Sequence, residues 1–459
     1  GMDGGGVTAD LYRYTVRSTR SDGDRARTRY LEPRTCPEGT LPPLARDPAG
    51  MIAAFYALSM AVLLLYGLNL LWMASRHGRA TRSRPADAGV HPEAELPHVT
   101  VQLPLYNEQH VAARLIAACV ALDYPRDKLE IQVLDDSTDA TFALVADEVA
   151  RHRADGHTLV HIHRADRTGF KAGALQHGLL TARGTHIAIF DADFVPPPHF
   201  LRHALAAFDA PDVGLVQARW GHLNRTYSLL TRIQAFGLDA HFALEQHVRS
   251  GEGLFINFNG TAGVWKRACI DAAGGWAADT LTEDLDLSYR AQMKGWRFRY
   301  LDALEVPAEL PVEMQGLRQQ QFRWTKGAAE TGRKLLVPFL RARLPWRVKL
   351  QGSLHLLGHA VFPFVLLAVV LSTTGTLIGM LVMDQTFSII MTGTGIVALA
   401  GIVVNNNIVL IDTYDRLRRE GVAAYDAILE TCRERARPVV LTAVTAMLGV
   451  LAIAFGINI

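Results

Sequence analysis

Between Leu103 and Trp324, four short polar signatures punctuate apolar runs in a fixed order: Asp135-Asp136, Asp191-Ala192-Asp193, Thr282-Glu283-Asp284 and Gln320-Gln321-Phe322-Arg323-Trp324. The first two follow Ile131 to Leu134 and His186 to Phe190, which read as buried strands, and the third opens a helix. Acidic groups placed in this way gather at one edge of a sheet. In an open α/β sheet that edge carries the ligand site.

The strands alternate with helical stretches from His98 to about Leu336. Val99 to Leu103 and Ile131 to Leu134 bracket the amphipathic stretch from His110 to Leu122, a β-α-β start. The expected fold class is therefore α/β, with a mostly parallel sheet and helices on both faces over residues 97–336. Around it the chain is apolar. Met51 to Ala74 has about the 20 residues that a bilayer core requires, so residues 51–74 are expected to form a transmembrane helix. Arg76, Arg79, Arg82 and Arg84 follow it, which by the positive-inside bias places the α/β domain in the cytoplasm. Residues 1–50, rich in Gly, Arg, Asp and Pro, read as a disordered or loosely packed tail.

After the α/β domain, basic residues interleave with Leu336, Phe339, Leu340, Leu344 and Trp346, so residues 337–362 are expected to lie along a membrane surface. A solvated helix packed on the domain is the plainer reading of the same pattern. Three spans are expected over residues 363–459: Pro363 to Met383, Phe387 to Ile411 and Val439 to Ile457. The connector bearing Arg416, Arg418, Arg419, Arg433, Arg435 and Arg437 then falls on the cytoplasmic side, in agreement with the first span.

Composition excludes some classes. A formal charge of +2 on 459 residues, with scattered arginines, argues against a nucleic-acid binder, which needs a concentrated basic surface. Cys36, Cys119, Cys269 and Cys432 lie far apart without a CxxC pair, giving neither a zinc finger nor a disulfide framework.

A nucleotide diphosphate concentrates negative charge, and one or two carboxylates can hold a hard cation while phosphate oxygens complete its octahedron. Asp191 and Asp193 suit that task, although an isolated D-x-D is as readily a solvated turn. Asp135 and Asp136 close a strand where a carboxylate can accept from a base or ribose; Asp136 or Ser137 could equally cap a helix. Glycosyl transfer with inversion needs a base for the acceptor hydroxyl. Asp284 is the first candidate and Glu283 the second. Lys171 and Arg323 can offset the charge of a leaving diphosphate, and Gln320 and Trp324 stand beside Arg323, the tryptophan offering a face for a pyranose ring or simply filling core.

These motifs, with Leu103 to Glu108, Val133 to Asp139, Phe170 to Leu175, Val216 to Trp220 and Asn259 to Trp265, resemble a membrane-bound family 2 glycosyltransferase. Within the cellulose synthase superfamily they are most similar to glucomannan (β-1,4-mannan) synthases. The resemblance covers about residues 97–360. It implies a GT-A fold, a nucleotide-sugar donor contacted by Asp135, Mg²⁺ or Mn²⁺ at Asp191 and Asp193, a base at Asp284, and an acceptor and diphosphate site at Gln320, Arg323 and Trp324.

From about Leu366 the chain departs from that family. Thr392 to Gly395, Gly401 to Asp412 and Arg435 to Pro438 resemble the late transmembrane helices of RND-type efflux permeases. The spans hold no ionisable group in their interior, so proton-driven transport is not expected of this piece. The function expected is transfer of a hexose from GDP-mannose or UDP-glucose to a growing β-linked polysaccharide by a multi-pass enzyme of the inner membrane. The alternatives are a lipid acceptor, as for ceramide glucosyltransferases, and a non-catalytic permease fragment. Membrane lipids, the glycan or lipid acceptor and an export partner complete the expected set of partners.

Overall fold

The computed structural model describes residues 48–82, 93–382 and 408–435. Residues 1–47 of the tail expected over 1–50, most of the span from Phe387 to Ile411 and all of the span from Val439 to Ile457 lie outside them. The chain divides at Ala54 into two units. The first is described only in the opening turns of helix α1 (Pro48–Arg82).

The second unit is built on a seven-stranded sheet, β1 (Val99–Leu105), β2 (Leu129–Asp135), β3 (Leu159–His163), β4 (His186–Ile189), β5 (Val213–His222), β6 (Gly263–Lys266) and β7 (Arg297–Ala308), in the order 3-2-1-4-6-5-7. Only β6 runs against its neighbours β4 and β5. The sheet is thus mostly parallel, as its β-α-β start requires, and it is covered on both faces.

Alternation along the strands assigns the two cores. Val99, Val101, Leu103 and Leu105 of β1 join Ile131, Val133 and Phe190 under helices α2 (Ala112–Val120), α3 (Thr141–Ala154) and α5 (Phe200–Ala206). On the other face Leu134, Ile187, Ile189, Leu215 and Trp265 pack under α4 (Phe170–Thr181), α8 (Arg267–Ala272) and α9 (Glu283–Met293). Here β1 and β2 carry polar residues that pair with one another. Thr100 Oγ1 donates to Glu130 at 2.7 Å and Gln102 Nε2 to Gln132 at 3.1 Å, which offsets much of the cost of burying these groups, although Gln102 Oε1 is left without a hydrogen bond.

Between β5 and β6 one long helical rod changes pitch. Helix α6 (Leu229–Ala240) starts at a capping box of Ser228 and Thr231, passes into a π-helix over His241–Gln246, and ends as α7 (His247–Gly251). After β7 the chain enters α10 (Met314–Arg341), which is unbroken across the expected division at residues 336 and 337. Leu335 and Phe339 are buried against Tyr289, Phe255 and Leu356, so protein covers part of the apolar face expected at a membrane surface. Helices α11 (Trp346–Leu356) and α12 (Val361–Val382) follow.

Among the described residues α1 is the one helix long and apolar enough to cross a membrane, over Gly50–Ala80. Leu64, Leu65, Leu68, Leu70 and Leu71 are exposed along it. Trp346–Leu356 and Gly358–Leu371, bent by 54°, pass the same test only as a pair. Helices α13 (408–419) and α14 (424–435) form a hairpin that packs on the α/β domain, with Tyr414, Leu417 and Ala427 buried against Phe236.

Candidate active site

Parallel register brings the ends of β1, β2 and β4 side by side, with Leu105 opposite Asp135 and Gln102 opposite Ile189. The loops beyond them are tied together. Asn107, at φ 56°, donates its N–H to Ser137 Oγ at 2.9 Å and accepts from Thr138 N–H at 2.9 Å.

Asp135 and Asp136 are put to different uses. Asp135 is fully buried, accepting from Ser137 N–H at 2.9 Å and pairing with His161 Nε2 at 2.9 Å. Burial would raise its pKa, but the hydrogen bonds from His161 and Ser137 outweigh that and hold it below the ordinary carboxylate range. These contacts tie its side chain to the loop that follows β2 and to β3. Asp136 receives Arg164 bidentately, at 2.7 Å and 2.5 Å, and Arg164 also donates to the carbonyls of Thr168 and Phe170, each at 3.0 Å. That brace fixes the start of α4, where Gly169 and Phe170 have φ values of 74° and 50°.

From α4, Lys171 Nζ reaches Asp191, just past β4, and donates to the Gly260 carbonyl at 3.0 Å. Burial alone would lower its pKa, yet Asp191, Glu283 and Asp284 raise it. Asp191 N–H in turn donates to Thr261 Oγ1 at 2.9 Å. Gly260 closes the set from above. A Cβ added there would stand 3.2 Å from Asp284 Oδ2 and 3.5 Å from Lys171 Nζ, which shows how tightly these groups converge.

Glu283 and Asp284 occupy the first turn of α9, whose free N–H groups favour negative charge. Leu285 N–H donates to Asp284 Oδ1 at 2.8 Å. Dense surroundings nevertheless dominate: desolvation, then Glu283, push Asp284 up to about 7. Asp193 is pushed to about 7 as well, by burial and by the neighbouring Asp191. Glu108, just after β1, is raised by burial and by Asp191 and lowered by Arg323. Arg323 of α10 therefore acts on the same cluster. Its neighbour Trp324 lies 6.4 Å from Trp220, which packs on Phe194 at 5.2 Å between ring centroids. Gln320 sits half-buried one turn earlier on α10.

This is a site short of positive charge. Asp193 and Asp284 are both raised to about 7, so the cluster favours added positive charge, and a divalent cation beside Asp191 and Asp193 would supply what Lys171 and Arg323 leave wanting. Among the described residues no three His, Cys, Asp or Glu side chains form a metal cage. Asp191 and Asp193 thus fit a cation that a ligand's own oxygens help to hold.

Several residues here had no assigned role from sequence. Glu108 and the loop Asn259-Gly260-Thr261 belong to motifs that carried the resemblance, yet only their placement shows what they touch. His241 and Glu245 had no signal at all, since a π-turn leaves no mark in an amphipathic pattern.

Residues 97–327, half of the chain, match the family model described as "Glycosyltransferase like family 2". Residues 359–458 match a model described as the AcrB/AcrD/AcrF family. Among curated proteins, glucomannan 4-beta-mannosyltransferase 2 of Arabidopsis thaliana is 40% identical over 308 residues, covering 64% of this chain and 58% of that protein. Glucomannan 4-beta-mannosyltransferase 1 of Oryza sativa subsp. japonica is 41% identical over 266 residues, covering 57% and 50%. The chain spans about half the length of the curated relatives it matches. A solved mannosyltransferase from Pyrobaculum calidifontis, in complex with GDP-Man and Mn²⁺, shares the fold with a TM-score of 0.58 at 20% identity, over 83% of this chain and 99% of that one. The sheet is accordingly of the GT-A type, and the chain belongs to the glycosyltransferase-like family 2.

Proposed function

We propose that the chain transfers a hexose from a nucleotide sugar to a growing β-linked glycan by a single inverting displacement at a membrane. The observation that carries this reading is the convergence of Asp284, Lys171 and Asp191 on the Gly260 loop, with Asp193 beside them. The named relatives are mannosyltransferases, which favours GDP-mannose over UDP-glucose as the donor.

Asp284 takes the proton of the acceptor hydroxyl as its oxygen bonds to the anomeric carbon, while the bond from that carbon to the diphosphate oxygen breaks. A pKa near 7 suits a base that must be ionised to accept and acidic enough to release. Glu283 beside it keeps that pKa high. Lys171 and Arg323 offset the charge on the leaving diphosphate. Mg²⁺ or Mn²⁺ at Asp191 and Asp193 would supply the rest of that countercharge. Asp135 and Asp136 contact the nucleoside, Asp136 braced by Arg164 and Asp135 tied to the loop that carries both. Gln320 and Trp324 hold the acceptor sugar.

The apolar α1, with arginines after it, supports an anchored enzyme with its domain in the cytoplasm. In this reading the permease-like segment after Leu366 contributes further spans, and an export partner serves the product. The deciding experiment uses the full chain in detergent with Mn²⁺ and each labelled donor. Nucleoside diphosphate should be released from GDP-mannose, and both Asp193→Ala and Asp284→Asn should lose that release. Turnover retained in both variants overturns the assignment, and a labelled glycolipid in place of polymer replaces the glycan acceptor with a lipid.

A further inference from the structure

The π-helix over His241–Gln246 interrupts a rod that is α-helical on both sides, a local distortion over-represented at functional sites. Two of its side chains, His241 and Gln246, reach Asn259 in the loop beside the active site. His241 Nδ1 stands 3.0 Å from Glu245 Oε2, and His241 Nε2 stands 3.2 Å from Asn259 Nδ2. A carboxylate only accepts and an amide nitrogen only donates, so the neutral ring carries its proton on Nδ1 and accepts at Nε2. Glu245 is itself held by Arg249 Nε at 3.0 Å. Burial would raise its pKa, but Arg249 and His241 keep it well below the ordinary range, so the acceptor for His241 is an ionised one.

The amide of Asn259 is fixed from its other side too, by Gln246 Nε2 donating to Oδ1 at 2.6 Å, while Gln217 Oε1 accepts from its backbone N–H at 3.1 Å. The next residue is Gly260, whose carbonyl receives Lys171, and the one after is Thr261, whose hydroxyl receives Asp191 N–H. One chain of hydrogen bonds thus runs from the π-turn to two charged groups of the site.

We propose that His241, oriented by Glu245, is a positioning residue that holds the Asn259-Gly260-Thr261 loop and through it sets Lys171 and Asp191 in place. The inference rests on the transferase reading for its kinetic consequence, but not for its structural one. Two variants separate the ring's two nitrogens: His241→Gln keeps a side-chain acceptor near Nε2, whereas His241→Asn keeps a donor near Nδ1.

The test compares these with His241→Ala in the detergent-solubilised full chain, by backbone hydrogen exchange across residues 258–262 and by the Mn²⁺ concentration giving half-maximal GDP-mannose turnover. Outer-shell partners of ligating groups typically cost about 10–100-fold in metal affinity, so Ala and Asn are expected to raise that concentration by about this factor, with faster loop exchange. Gln should restore both readouts to near the wild-type values. Asn matching wild type while Gln does not would overturn the proposal, because the dyad would then serve the helix alone. So would unchanged loop exchange in all three. If Ala fails to fold, the Gln and Asn pair still decides. A wild type without Mn²⁺-dependent turnover defeats the transferase reading, and the exchange data then still judge the positioning role.

Discussion

Asp284 shows how much one residue's surroundings decide. Its place at the start of a helix was readable from Thr282-Glu283-Asp284, and α9 begins where that pattern puts it. The pKa was not readable, because desolvation and the Glu283 charge come from packing. If Asp284 is the base, as proposed, its pKa of about 7 means that the rate falls as the carboxylate protonates below that value. For the free enzyme kcat/KM should rise tenfold per pH unit up to about pH 7 and level off above it. A Asp284→Asn variant should lose about 10²–10⁴-fold in kcat and, with it, this limb of the pH profile. A profile flat from pH 5 to 8 in steady-state turnover would remove Asp284 from the role. Gly260 tests the same crowding from the opposite side. At φ 81° and with a Cβ 3.2 Å from Asp284 Oδ2, Gly260→Ala strains the loop and pushes on the base. Its kcat should fall at least about tenfold, as for other small displacements of reacting groups, while thermal unfolding moves little.

At the scale of elements, strands β1, β2 and β4 were legible from short runs rich in Val, Ile and Leu, interrupted in β1 and β2 only by residues that pair with one another, and the ends of β2 and β4 carry the acids expected of them. The sequence did not disclose that both carboxylates would be buried, Asp135 beside His161 and Asp136 under Arg164, since those partners come from β3 and the loop after it. The continuity of α10 was hidden for another reason. The basic, amphipathic stretch around Leu336 to Trp346 reads as a separate surface segment, whereas the helix runs on to Arg341 with Pro338 inside it. The entry to α4 is where local chemistry is least forgiving. A Cβ on Gly173 would stand 2.1 Å from the Thr168 carbonyl oxygen and 2.8 Å from Arg164 Nη1. Because backbone cannot yield as a flexible side chain does, Gly173→Ala should cost about 1–3 kcal/mol or more. Thermal unfolding of the detergent-solubilised chain should show this as a lower midpoint. A midpoint equal to wild type would mean that the Arg164 brace gives way freely.

For the whole molecule, the permease-like segment need not be cargo, because its hairpin α13–α14 closes a charged site on the α/β domain. Asp239, 1% exposed, accepts from Tyr414 OH at 2.6 Å, from Arg225 at 2.8 Å and pairs with His222 at 3.1 Å. Arg225 also reaches Asp415 at 3.2 Å and lies 5.0 Å over the Tyr414 ring. Sequence patterns marked the arginines of this connector but not its dock, since the partners are almost 200 positions apart. Burial would raise the Asp239 pKa, yet His222, Arg225 and Tyr414 bring it far below the ordinary value. A depressed pKa adds stability that is present above the unfolded carboxylate's value of about 4 and is lost as pH falls below it. Removing the acid takes the shared acceptor from Arg225, His222 and Tyr414 and leaves Arg225 only Asp415, so Asp239→Ala should cost about 3–5 kcal/mol, whereas Tyr414→Phe should cost about 1 kcal/mol. Limited trypsin digestion measures docking directly, because Arg416, Arg418 and Arg419 stand on α13. Cleavage there should be slow at pH 7 in the wild type, faster in Tyr414→Phe and fastest in Asp239→Ala. Equal cleavage in all three would show that the hairpin leaves the domain freely.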